Sequence, residues 1–83
     1  MMKEKLLANL DKFHTTDLGK VRLQKHLLLR EENPVLWAKG FIQRSETKIS
    51  HKGKNFYVSD NHIVLTINAS SYTIITGHKE YGF

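Results

Sequence analysis

Apolar positions follow a helical spacing in the first half of the chain and an alternating spacing in the second. Leu6, Leu10 and Phe13 recur at helical intervals. This spacing predicts a short amphipathic helix over about residues 3–13. Two further helices are expected before the alternating region begins.

The second and third helices are indicated mainly by residues that start helices. Thr16 is a good N-cap, and Asp17 suits the positive first turn of a helix that follows it. Asn33 followed by Pro34 predicts a fresh start, because proline at the first helical position lacks only an N–H that would be unpaired there. One side of the second helix is expected to carry Leu18, Val21 and Leu28. The third is expected to stack Trp37 on Phe41, with Ala38 and Ile42 extending its apolar stripe.

After residue 45 the apolar period changes to two, which is typical of strands. Three short turn-forming segments divide this region at 52–54, 59–61 and 69–71. The pattern predicts an α+β fold in which three N-terminal helices pack on a four-stranded antiparallel β-meander. Residues 1–83 are expected to be one domain, with helices within about 3–44, the sheet within about 46–77 and a short C-terminal tail.

Composition narrows the range of functions. The 83 residues include no cysteine, which excludes disulfides, a thiolate nucleophile and cysteine-based zinc sites. The net charge of +5 favours encounter with polyanions or acidic protein surfaces. No long apolar segment is visible, so we expect a cytoplasmic protein that does not enter a membrane. The histidines are scattered without metal-ligand spacing, and we expect neither a metal nor another cofactor.

Three segments carry a resemblance to known proteins. "LLANLDKFHTTDLG", "HKGKNFYV" and "SYTIITGHK" resemble a family of small bacterial proteins known as a domain of unknown function. More distantly, the order of elements and the ending "TIITGHK" are similar to the BrnT and RelE toxins of the barnase–EndoU–colicin–RelE group. That second resemblance implies a small basic ribonuclease and a small acidic antitoxin as its partner.

The end of the last predicted strand is the first candidate site. RNA cleavage without a metal needs a base, an acid and cations around the phosphate. His78 can act as acid or base near neutral pH, Lys79 can hold a phosphate, and Tyr81 can donate a proton or stack on a base. His26 on the second helix is the fourth candidate catalytic residue. The alternative is a solvated strand end without function.

Two other basic clusters are candidates for nucleic-acid binding. Arg22 and Lys25 lie one helical turn apart, and Lys39 points away from the apolar stripe of the third helix. Lys52 and Lys54 flank a glycine at a hairpin tip, with Tyr57 nearby for base stacking. Each cluster can equally be a solvated surface.

Two functions therefore stand as hypotheses. The first is a small RNA-binding protein, plausibly a metal-independent ribonuclease of the RelE or BrnT kind. The second is a non-catalytic interaction module or inhibitor from a mobile element, which would use the same basic surface to bind an acidic protein or a ribonucleoprotein.

Overall fold

A computed structural model describes residues 2–26, 33–44, 47–60 and 62–79. These residues form the helices α1 Met2–Ala8, α2 Asp17–His26 and α3 Pro34–Gln43, with a 3-10 helix at Leu10–Lys12. The strands are β1 His14–Thr15, β2 Lys48–Lys52, β3 Asn55–Asp60, β4 Ile63–Asn68 and β5 Thr73–Lys79.

Both predicted helix caps are confirmed. The Thr16 hydroxyl accepts a hydrogen bond from the Gly19 N–H at 3.0 Å, at the start of α2. The Asn33 side chain accepts one from the Leu36 N–H at 3.1 Å, and Pro34 occupies the first turn of α3. Such caps satisfy backbone donors that have no partner within the helix.

The prediction of one continuous helix over residues 3–13 is wrong. The helix ends at Ala8, and the chain tightens into the 3-10 helix before Phe13 takes an extended conformation. Leu6 in α1 and Phe13, the residue that follows the 3-10 helix, are nevertheless both buried in the same core cluster.

The apolar side expected for α2 is not its buried side. Leu18 and Val21 are 58% and 55% exposed, whereas Gly19 and Leu23 are buried. Leu28 lies outside the described residues. The helix approaches β5 through Gly19, where the absence of a side chain permits contact with the Ile74 carbonyl.

The expected four-stranded antiparallel meander is also wrong. Over the described residues the sheet has five strands in the order β1-β5-β4-β3-β2, and β1 pairs with β5 in parallel. The four longer strands form consecutive antiparallel pairs, and the short β1 extends the sheet beyond them. A hydrogen bond of 2.7 Å from the Thr15 hydroxyl to the Ile74 carbonyl fixes β1 at this edge.

The core lies between the helices and one face of the sheet. Leu6, Leu23, Phe41 and Ile42 from the helical side form one buried cluster with residues of the strands. The strand members of that cluster are Phe56, Val58, Leu65, Ile67 and Ile74. The described helices therefore all pack on the same sheet face.

A β-bulge in β5 decides which later residues share that face. Thr66 pairs with Thr76 and Ile67 pairs with Ile74, so Ile75 is an extra residue. Beyond it, Gly77 pairs with Leu65 on the core face and is buried. Thr76 therefore does not share a face with Ile74, although unbroken alternation predicts that it does.

Candidate functional site

The sheet surface turned away from the helices, here called the open face, carries most of the strands' polar side chains. Residues directly opposite each other on antiparallel strands project from the same face. The register accordingly arranges the open face in three rows. The first row is Lys48, Ser59, Val64 and His78; the second is Ser50, Tyr57, Thr66 and Thr76; the third is Lys52, Asn55 and Asn68.

The open face is cationic along β2. Lys48 and Lys52 are exposed there, and Lys54 is exposed in the adjoining turn after Gly53. Among the described strand residues the only carboxylate is Asp60, which projects from the opposite, core face. Its side chain is 10% exposed and forms an ion pair with Arg44 at 3.1 Å. No described strand carboxylate therefore offsets the lysines on the open face.

Tyr57 occupies the middle of the open face. It lies in the second row, beside Ser50 on one strand and Thr66 on the other, and is partly exposed. Thr66 is only 8% exposed although no described helix covers it, because it lies in register between Tyr57 and Thr76. A planar ring on a firm sheet surface is suited to stacking against another flat group.

His78 and Lys79, predicted to form a site at the end of the last strand, project from opposite faces of the sheet. His78 and Lys79 both lie within β5, paired with Val64 and Ile63, so the strand continues past the predicted limit at residue 77. His78 projects from the open face and Lys79 from the core face beside Asp60 and Ile63. Tyr81 lies outside the described residues.

The remaining candidates separate in the same way. Lys52, Lys54 and Tyr57 join His78 on or beside the open face. The helical candidates Arg22, Lys25, His26 and Lys39 belong to α2 and α3, on the far side of the sheet. The structure therefore divides the predicted site residues into two groups separated by the sheet.

A hydrogen-bonded chain of side chains borders the third row, and sequence reasoning missed it. The His14 Nδ1 atom lies 2.9 Å from the Lys12 carbonyl, which can only accept, so this nitrogen carries the proton. In the neutral ring Nε2 then accepts from the Thr73 hydroxyl at 2.8 Å. The Thr73 and Ser71 hydroxyls are 2.7 Å apart. His14 and Thr73 are 59 residues apart, and no local pattern connects them.

The same turn fixes the Asn68 side chain. Its Oδ1 atom accepts hydrogen bonds from the backbone N–H groups of Ser70 and Ser71, both at 3.0 Å, and from the Ser71 hydroxyl at 3.2 Å. This local arrangement is typical of asparagine at a turn. Lys48, Asn55 and Asn68 were likewise not singled out from the sequence, because only the cross-strand register places them beside Tyr57.

The described residues contain neither a metal-binding cluster nor a helix long and apolar enough to span a membrane. No three histidine, aspartate or glutamate side chains within them are grouped so as to hold a metal ion. None of the described helices has the length and apolar character needed to cross a bilayer.

Fold and surface together define a small α+β domain with a helical layer on one side of its sheet and a cationic open face on the other. The chain belongs to DUF3781, a family described as a protein of unknown function, which matches residues 7–78. This confirms the predicted membership in a family of unknown function. Neither a curated protein nor a solved structure matches the chain. The relation to BrnT and RelE toxins stays a prediction.

Proposed function

We propose that the protein binds single-stranded RNA on the open face of its sheet. The observation that carries the proposal is the combination of Lys48, Lys52 and a central Tyr57 on a surface where the described strands place no carboxylate. Lysines supply the phosphate contacts that dominate affinity for nucleic acids, and an aromatic ring on a sheet stacks unpaired bases. Such a ligand fits the cytoplasmic location that the sequence predicts.

The dimensions of the open face support a short single strand as the ligand. Neighbouring strands lie about 4.8 Å apart, so the distance from Lys48 to His78 across three strand steps is about 14 Å. Tyr57 lies on a strand between these two residues, in the neighbouring row of the open face. An RNA strand that crosses the sheet would therefore meet Lys48 on β2, the Tyr57 ring on β3 and His78 on β5 in turn.

The proposal is for binding without cleavage. Metal-independent cleavage needs its base, acid and cation around one phosphodiester. His78 and Lys79 project from opposite faces of β5 and so do not converge on one phosphate. Incubation of total RNA with the protein in EDTA separates the two functions. Cleavage that is lost in the His78→Ala variant would replace the binding proposal with a ribonuclease.

Fluorescence anisotropy with a labelled single-stranded RNA tests the proposal directly. Tyr57→Ala should weaken binding by about 1–3 kcal/mol, the usual value of one stacked base, and Tyr57→Phe should retain most of the affinity. His78→Ala and Lys52→Ala should also weaken binding. Lys79→Ala and Lys39→Ala are matched controls, because each removes a lysine from the other side of the sheet. Equal losses from both groups of lysine variants would contradict binding on the open face.

A second candidate function rests on α3. Leu36 is 62% exposed and lines a surface groove of about 330 Å³ with Trp37, Gly40, Phe41 and Arg44. Lys39 is the charged residue of α3, and Arg44 follows the helix directly; two positive side chains favour an acidic protein partner. Affinity purification with nuclease treatment distinguishes this function: a partner retained by the wild type and lost in Leu36→Asp, but kept in Tyr57→Ala, would support it.

A further inference from the structure

The row beside Tyr57 carries two amide side chains. Asn55 precedes Tyr57 by two residues on the same face of β3, about 7 Å away along the strand. Asn68 is the direct partner of Asn55 on β4. On the other side of the ring the neighbouring row contains Lys48, Ser59, Val64 and His78, none of which is an amide. A base stacked on Tyr57 therefore has the two amide side chains along one edge, and the lysine, serine and histidine of the first row along the other.

Asn68 can offer a ligand only one half of its amide. Its Oδ1 atom already accepts three hydrogen bonds from the Ser70 and Ser71 groups of the turn. Because the turn holds this oxygen, the Nδ2 group is the half that remains for a ligand, and it can only donate. The turn thus fixes both the position and the polarity of the group.

Asn55 complements this fixed donor. It is partly exposed, and its side chain forms no hydrogen bond with the rest of the described chain. Its amide is therefore available as donor and acceptor together. A pair of amides, one fixed and one adaptable, is suited to reading the edge of an unpaired base.

We infer that Asn55 and Asn68 select the base that stacks on Tyr57, requiring a hydrogen-bond acceptor on the base edge that faces Asn68. The inference rests on the proposed function and gives its ligand as a single-stranded RNA with a preferred base at one position. Lys48 and Lys52 hold the backbone regardless of sequence, so preference and overall affinity depend on different residues.

Asn68→Asp is the most informative variant. A carboxylate oxygen can still accept the Ser70 and Ser71 N–H bonds, so the turn and the fold are retained. The variant replaces the N–H donor with an acceptor. Ser70→Asp is the matched control, because it adds the same charge to the same turn at an exposed position and leaves the Asn68 amide in place.

The experiment compares binding of labelled eight-nucleotide oligo(A), oligo(C) and oligo(U) by anisotropy. The wild type should prefer one of them by roughly fivefold or more, as expected for one base-edge contact. Asn68→Asp should weaken the preferred oligomer about tenfold more than Ser70→Asp does, since a facing acceptor would lose its donor. Asn55→Ala should reduce the preference, and Lys52→Ala should weaken all three equally.

The outcomes separate this inference from the proposed function. If no oligomer binds, the proposed function itself fails. If all three bind equally, or if Asn68→Asp and Ser70→Asp lose the same factor for each oligomer, binding stands and the selection by Asn55 and Asn68 is overturned. A preference that survives Asn55→Ala and Asn68→Asp together would also overturn it.

Discussion

Two glycines in helices offer a matched test of how α2 packs on the sheet. A Cβ atom added at Gly19 would lie 2.2 Å from the Thr15 hydroxyl oxygen and 3.0 Å from the Ile74 carbonyl oxygen. A Cβ atom added at Gly40 in α3 would meet nothing within 4 Å. The substitution Gly→Ala has the same intrinsic benefit in both helices, about 1 kcal/mol from helix propensity.

The clash at Gly19 should outweigh this benefit. Thr15 would have to turn away, breaking its 2.7 Å hydrogen bond to the Ile74 carbonyl, which is itself backbone and cannot yield cheaply. Overpacking of this kind costs about 1–3 kcal/mol, and the lost hydrogen bond about 1 kcal/mol more. Gly19→Ala should therefore lower the free energy of unfolding by about 1–3 kcal/mol, whereas Gly40→Ala should raise it by about 0.5–1 kcal/mol.

Urea unfolding followed by circular dichroism measures both variants. For a domain of this size, 1 kcal/mol corresponds to a shift of about 4–8 °C in Tm, so thermal melts give a second reading. The double variant Thr15→Ala with Gly19→Ala should be less destabilised than the sum of its single variants, because the nearest clashing atom is gone. If Gly19→Ala were as stabilising as Gly40→Ala, the close approach of α2 to β5 would be refuted.

Three further outcomes are expected. Asn33→Ala should cost about 1 kcal/mol of stability by removing the α3 cap, and Asn33→Asp should retain most of it, both measured by urea unfolding. Ile74→Ala should cost about 2–5 kcal/mol because its side chain is fully buried, whereas Ile75→Ala at the bulge should cost less than about 1 kcal/mol; similar losses would contradict the bulge. Raising the salt concentration should weaken RNA binding, and Lys52→Ala should reduce the slope of log affinity against log salt by about 0.7; an unchanged slope would exclude a phosphate contact at Lys52.

Features encoded within a few residues could be predicted from the sequence. The caps at Thr16 and Asn33 and the turn at Gly53 each depend on the chemistry of adjacent residues. The strand β1 could not be predicted, because it has two residues and exists through pairing with Thr73 and Ile74 far along the chain. The prediction of which side of α2 is buried is wrong because Gly19, which carries no apolar side chain, lies close against the sheet.

The candidate site likewise combines residues that are close in sequence with residues that only strand pairing brings together. Lys52, Lys54 and Tyr57 are close in sequence, and their grouping at the β2–β3 hairpin follows from that. Asn68 joins them only through the register of β3 with β4, and His14 borders them only through the parallel pairing of β1. Arg22 and Lys25 have the composition of a binding surface, but the sheet separates them from the open face.

The bulge in β5 determines which residues at the end of that strand belong to the proposed binding surface. Unbroken alternation from Ile74 would place His78 on the core face with Ile74 and Lys79 on the open face. The extra residue Ile75 reverses this, so that Gly77 packs opposite Leu65 and His78 reaches the open face opposite Val64. Lys79 is then directed to the core face beside Asp60 and Ile63. One inserted residue thus determines which of two adjacent side chains can contact a ligand on the surface that also presents Tyr57.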